Sequence, residues 1–135
     1  MARFSKAEIE YLKSQRVARI ATVSAKGQPD VVPVVLEFDG EYFWVGSHGD
    51  KARKYRNVNS GNKLVALVID DVESYETWKV RQLRVYGTAD IIDHNGLLER
   101  GKYLRIAPRI SWSWLGASDK KESGHDRGPV RTVHG

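Results

Sequence analysis

Residues 47–57, SHGDKARKYRN, concentrate the chemistry of this chain: a glycine-containing turn followed by four cations, Lys51, Arg53, Lys54 and Arg56. An arginine offers a planar fork to a phosphate or carboxylate, and a lysine offers a point charge. If a helix starts here, its free backbone N–H groups add hydrogen bonds to the same anion. The run reads as an anion site built from Arg53 with Lys51 or Lys54, although a solvated basic helix face explains the same residues. His48 has no second histidine or carboxylate at metal-ligand spacing beside it, so a hydrogen-bonding or exposed role is expected and no metal site. Ser24, Ser47 and Ser111 lack a strand-to-helix elbow with flanking glycines, and there is no cysteine, so hydrolytic triads and thiol chemistry find no support.

A second constellation lies at Trp78, Arg81, Gln82 and Arg84, in the pattern W-x-x-R-Q-x-R. Turned into a barrel, these polar groups need partners, and a cofactor phosphate or ring edge would serve. Turned outward, they are ordinary surface. Trp112 and Trp114 share one strand face and would cover either an aromatic ring or a subunit interface.

The elements that must position these groups follow from patterning. Ser5 and Glu8 have the spacing of a capping box, which starts a helix ending near Gln15. Residues 17–24 and 30–38 read as strands joined by a Gly-Pro turn, and Asp39-Gly40 leads into a third strand over 41–47. A short basic helix follows over 51–58. Residues 63–70 form an apolar run suited to a strand covered on both faces. An extended segment covers 78–93, with a bulge expected near Arg81-Gln82. Residues 95–103 read as helix, stopped by Pro108, and 110–115 as a last strand. From about Ala117 the chain is polar and glycine-rich and is expected to pack weakly. Five or six strands on short connections predict a mainly β fold with short helices (α+β), an antiparallel barrel, because parallel crossovers need a dozen or more residues.

The composition sets outer limits. With 135 residues, 41% hydrophobic and 29% charged, the chain suits one folded domain, here divided into residues 1–116 and a polar tail over 117–135. No apolar run approaches the ~18 residues that cross a bilayer, and the first residues lack an apolar signal core. No membrane association and a cytoplasmic location are the expectation. The net charge of +5 favours anionic partners. A nucleic-acid-binding barrel fits that charge, but the cations cluster at one helix start and do not alternate with aromatics along a stripe.

At these residues the chain resembles the split β-barrel family of pyridoxamine 5′-phosphate oxidase and its deazaflavin-dependent relatives. ATVSAKGQPDVVPV (21–34) is similar to that family's opening hairpin, Arg53-Lys54 ahead of VALVID to its phosphate element, and WKVRQLRVYGTA (78–89) to its long strand. The resemblance covers residues 5–115 and implies an FMN-binding-like split barrel, working as a homodimer with the cofactor at the subunit interface. It further implies that Arg53 and Lys54 bind phosphate, that Lys51 and Arg56 meet further negative charge, and that Ser47, His48, Trp78 and Gln82 belong to the cofactor site. Val32, Pro33 and Val34 would line the ring with backbone groups, and Gln82 often approaches from the second subunit. Gly61-Asn62 stands where the family often has Asn-Pro, and the arginine- and histidine-rich C-terminal segment of true pyridoxamine phosphate oxidases is not recognisable. The short ending around APRISW (107–112) looks closer to the branch that uses coenzyme F420, whose polyglutamyl tail would occupy surplus cations.

The implied activity is hydride transfer between bound F420, with FMN as second choice, and a small conjugated acceptor, with proton delivery by Tyr75 or solvent. A flavin reductase or oxidase using FMN and a non-catalytic cofactor carrier are the alternatives.

Overall fold

The computed structural model describes residues 1–47, 49, 51–116 and 129–135. The elements are α1 (Lys6–Ser14), β1 (Val17–Val23), β2 (Pro29–Val35), β3 (Phe43–Gly46), α2 (Arg53–Asn59), β4 (Leu64–Ser74), β5 (Lys79–Asn95), β6 (Arg100–Trp114) and β7 (Val130–Val133). All strand pairs are antiparallel, in the order β2-β1-β4-β5-β6-β3. β7 pairs with β6 beyond β3, so β3 and β7 share the edge of β6 that β5 leaves free.

Local chemistry fixes the first elements as expected. Ser5 Oγ accepts from the Glu8 N–H at 3.1 Å while a Glu8 carboxylate oxygen accepts from the Ser5 N–H at 2.8 Å, and this closes the capping box of α1. Tyr11 and Leu12 of α1 enter the core. In β1, alternation turns Ala18, Ile20 and Thr22 inward. The turn into β2 needs Gly27 at φ +86°, and Asp39 ties the next one by accepting from the Glu41 and Tyr42 N–H groups at 2.8 and 2.7 Å. Ile20, Phe43, Leu67, Ile69, Leu83, Val85, Leu104 and Ile106 fill the space the sheet curls around.

Among the described residues the sheet does not close. Its end strands β2 and β3 meet only where the chain passes between them, through a Phe38–Phe43 bridge and a Trp44 N–H to Glu37 carbonyl bond of 3.0 Å. The expected barrel is therefore an incomplete one with a gap along β2 and β3.

Three expectations fail. Residues 95–103 are not a helix but the tip and arms of the β5–β6 hairpin, with the Gly96 N–H donating to the Glu99 carbonyl at 3.0 Å. Leu97, Leu98 and Tyr103 had suggested a helical stripe, yet Tyr103, Leu104 and Ile106 pack inward as strand residues. Pro108 consequently ends nothing. It lies within β6 opposite Gly87, beside a register shift that makes room for a residue with no N–H. The expected bulge at Arg81-Gln82 is absent: both residues pair in register with Asp71 and Asp70, and the irregularities fall at Val72/Ser74 and Tyr86/Gly87. Among the described residues seven strands form where five or six were expected, because Val130–Val133, assigned to a weakly packed tail, return as β7. There His134 is buried, its Nδ1 accepting from the Arg3 N–H and its Nε2 2.8 Å from Ser111 Oγ.

Candidate functional site

Helix α2 is anchored by two asparagines. Asn57 Nδ2 donates to Thr22 Oγ1 at 2.8 Å in the interior, and Asn62 Nδ2 donates to the carbonyls of Val23 and Ser24 at 3.0 and 2.7 Å. These bonds hold the helix against the end of β1 and open a cleft of about 550 Å³ between α2 and the β1–β2 turn. Lys26, Arg53, Arg56, Ser24, Asn57 and Ser60 line it. Three cations converge there with the Ser24 hydroxyl and no carboxylate among the lining residues, which is the donor set of an anion site, while the Ser60 hydroxyl donates to the Asn57 carbonyl at 2.7 Å.

The anion site differs from its sequence-based outline. The helix starts at Arg53, not Lys51, has seven residues, and carries no side-chain cap at Ala52. Two turns supply little dipole, so the side chains are the main source of positive potential. Lys51 is exposed before the helix, and His48 falls outside the described residues. Lys54 turns away from the cleft and is only 7% exposed. Burial lowers its pKa, and Asp30 pulls it partly back up. Its ammonium has no hydrogen-bond or ion-pair partner among the described residues. Lys26 escaped the sequence reading, because only tertiary contact brings the hairpin turn to the helix. Ser47 is buried, and its hydroxyl donates to the Lys102 carbonyl at 2.7 Å.

Val32, Pro33 and Val34 lie on the edge strand β2, opposite Ile20, Arg19 and Ala18. Val34 is buried and Pro33 exposed, as alternation requires. Val34 also borders a second cleft at the gap in the sheet, walled by Trp44 and Tyr103 and roofed by Leu97 and Leu98. Behind that wall Glu37 accepts from the Leu97 N–H at 3.0 Å and meets His94 Nε2 at 2.6 Å, and the His94 ring stacks on Trp44 at 3.8 Å.

The W-x-x-R-Q-x-R residues stand elsewhere. Tyr75 and Trp78 are 78% and 68% exposed at the β4–β5 hairpin tip, their ring centroids 6.4 Å apart. Gln82 is exposed, opposite Asp70 and Trp114. Helix α2 borders β5 near Ile91, and Ala89 donates to the Lys63 carbonyl just after that helix. From Gln82 to Ala89 is seven residues of strand, roughly 23 Å. One chain therefore does not bring Gln82, Trp78 or Tyr75 to the α2 cleft. Arg81 is committed to Asp71, at 3.1 and 2.7 Å, and to Glu73 at 3.2 Å, over the Tyr11 ring. The Tyr11 hydroxyl donates to the same Asp71, and burial beside that carboxylate raises its pKa. Arg84 lies over Trp112 at 4.4 Å.

Gln82 and Arg84 belong to the outward sheet face, and that face is apolar along one complete row. Strand register places Val31, Ala21, Ala66, Tyr86, Ile110 and Val133 side by side across β2, β1, β4, β5, β6 and β7. Among the described residues no group of three or more His, Asp or Glu side chains can hold a metal, and no helix is long and apolar enough to cross a membrane.

Known proteins bear on this geometry. The family profile described as pyridoxamine 5′-phosphate oxidase matches residues 4–129. A 5a,11a-dehydrotetracycline/5a,11a-dehydrooxytetracycline reductase of Streptomyces rimosus is 36% identical over 131 residues, covering 92% of each chain. Among solved structures, a conserved hypothetical protein of Mycobacterium tuberculosis superposes with a TM-score of 0.68 at 20% identity, over 84% of this chain and 86% of that one. An F420 reductase superposes with a TM-score of 0.57 at 24% identity, over 71% and 88%. The heme storage protein HutZ of Vibrio cholerae does so with 0.63 at 19%, over 82% and 96%. Structural likeness at these identities speaks for the fold alone. The profile and the Streptomyces relative extend over nearly the whole chain, and by them this chain belongs to the pyridoxamine 5′-phosphate oxidase family and is an oxidoreductase.

Proposed function

We propose that this oxidoreductase is a reductase that binds coenzyme F420, with FMN the second choice, and passes a hydride to a small conjugated acceptor. The observation that carries the reading is the cleft of Lys26, Arg53 and Arg56 beside the hydroxyl of Ser24. Its donor set fits a phosphate or a carboxylate-rich tail, and the three cations would hold that anionic end while the buried Lys54 adds positive potential from behind. When bound, the cofactor supplies the hydride. The protein positions, excludes water and leaves a path for a proton, which is why no nucleophile or base triad is required. The choice of F420 draws support from the F420 reductase among the structural neighbours, and reduction of a conjugated acceptor from the name of the Streptomyces relative.

A homodimer completes this proposal. Trp78, Gln82 and Tyr75 do not reach the α2 cleft of their own chain, and the apolar outward row is the surface on which a second copy would seat. In that arrangement Gln82 and Trp78 serve the partner's cofactor, and Tyr75 or solvent delivers the proton.

Titration with F420 and with FMN, followed by absorbance and fluorescence, tests the reading. Arg53→Ala combined with Arg56→Ala is expected to weaken binding of the preferred cofactor about 10- to 100-fold. Unchanged affinity for both cofactors refutes the site. Tight binding with no acceptor reduced would point to a carrier.

A further inference from the structure

The gap between β2 and β3 is not empty space. The tip of the β5–β6 hairpin lies across it, and the cleft beneath borders Val34 on one side and Trp44, Gly46 and Tyr103 on the other. We infer that this cleft is where the acceptor binds, and that Leu97 and Leu98 make it selective for flat, fused-ring acceptors. The inference rests on the reductase reading above and adds to it a place and a class of substrate.

Four observations lead there. First, the walls are a tryptophan, a tyrosine and valines, which suit the faces of a ring system. Second, the two roof leucines are 68% and 72% exposed, side by side on a hairpin tip. Adjacent leucines held in water beside an apolar cleft gain most by closing over an apolar guest, and a larger guest covers more of them. Third, the charged groups lining this cleft are Glu37 and Glu99, whereas those lining the α2 cleft are Lys26, Arg53 and Arg56. The anionic end of a cofactor is therefore drawn to the second cleft and not to the first. Fourth, Val34 belongs both to this cleft and to the β2 segment assigned to the cofactor ring, so a guest here lies next to that ring.

The tip is fastened in a way that permits this use. The enclosed space is about 30 Å³, room for a water molecule or so, and a ring system requires the tip to lift. Glu37 is the fastening: one carboxylate oxygen receives the Leu97 N–H and the other meets His94. Gly96 closes against the Tyr103 ring so tightly that no side chain fits between them. Glu37 is thus a positioning residue, and Leu97 and Leu98 are the contact residues.

The test uses the full chain, Leu97→Ser with Leu98→Ser, and two probes: the four-ring 5a,11a-dehydrooxytetracycline and the single-ring 2-cyclohexenone. Equilibrium dialysis of the four-ring probe is measured with and without cofactor, alongside cofactor titrations. The double variant is expected to bind the four-ring probe about tenfold more weakly, with cofactor affinity unchanged and a smaller loss for cyclohexenone, which covers less of the two leucines. Glu37→Gln, which loosens the fastening, is expected to raise the on-rate of the four-ring probe. Four-ring binding that is unaffected by the leucines, or absent from the unaltered protein, overturns the assignment, as does a parallel loss of cofactor affinity. Failure of the unaltered protein to bind F420 or FMN would instead strike the reductase reading. Dialysis of the acceptor without cofactor still reports on the cleft in that case.

Discussion

His134 shows how much a single ring can decide. Its Nδ1 accepts the Arg3 N–H, so in the neutral ring the proton sits on Nε2 and is donated to Ser111 Oγ. This polarity makes His134 useless as a base toward Ser111 despite the 2.8 Å contact. Protonation would place a second N–H against that of Arg3. Burial lowers the His134 pKa below its usual 6.5, with the nearby Glu8 opposing and Arg3 and the amino terminus adding to the fall. The unfolded chain therefore takes up more protons than the folded one below that value. Stability from this site is complete above about pH 6.5 and declines as the pH falls toward the folded value. Melting temperatures between pH 7.5 and 5 (roughly) should drop more steeply in the native protein than in His134→Gln, which keeps the hydrogen bonds without the titration. At this scale the candidate site was half legible. Arg53 declared itself by type and position and Arg56 came only with the family resemblance, but adjacent residues on a short helix point to different sides, and nothing local says that Lys54 is the buried one.

At the scale of elements, what was legible was whatever local chemistry dictates: the Ser5–Glu8 capping box, the β1–β2 turn and the Asp39-Gly40 turn. What was not legible depended on pairing. Residues 95–103 offered apolar spacing with two readings, and the long register of β5 on β6 chose the strand. Gly87 carried a signal that only the fold explains. A Cβ there would stand 2.6 Å from Ile106 Cγ2 and 2.8 Å from the Ala107 carbonyl oxygen. The second neighbour is backbone and cannot swing aside. Gly87→Ala should therefore cost about 1–3 kcal/mol in a denaturant titration, by forcing the two longest strands apart at their irregularity.

For the whole molecule, the decisive feature is the outward row of Val31, Ala21, Ala66, Tyr86, Ile110 and Val133. A charge within it should split a dimer while leaving the inward core untouched. Ile110→Asp is expected to halve the mass seen by light scattering and to weaken cofactor binding in the same preparation, since Gln82 and Trp78 would be lost to the site. A native protein already at monomer mass would remove the second copy from the proposal. The sequence could not show this face, because alternation marks which residues turn outward but not which outward residues line up across six strands.

The free edge of β6 has a further consequence. β3 takes Tyr103 to Ile106 and β7 takes Ile110 to Ser113, so two short strands from distant parts of the chain cap one long one end to end. A bare strand of that length would present a ladder of unmet amides to any passing polypeptide. Covering it in two pieces guards the longest pairing surface of the fold against runaway stacking, and it makes the last few residues of the sequence keepers of colloidal behaviour as much as of shape.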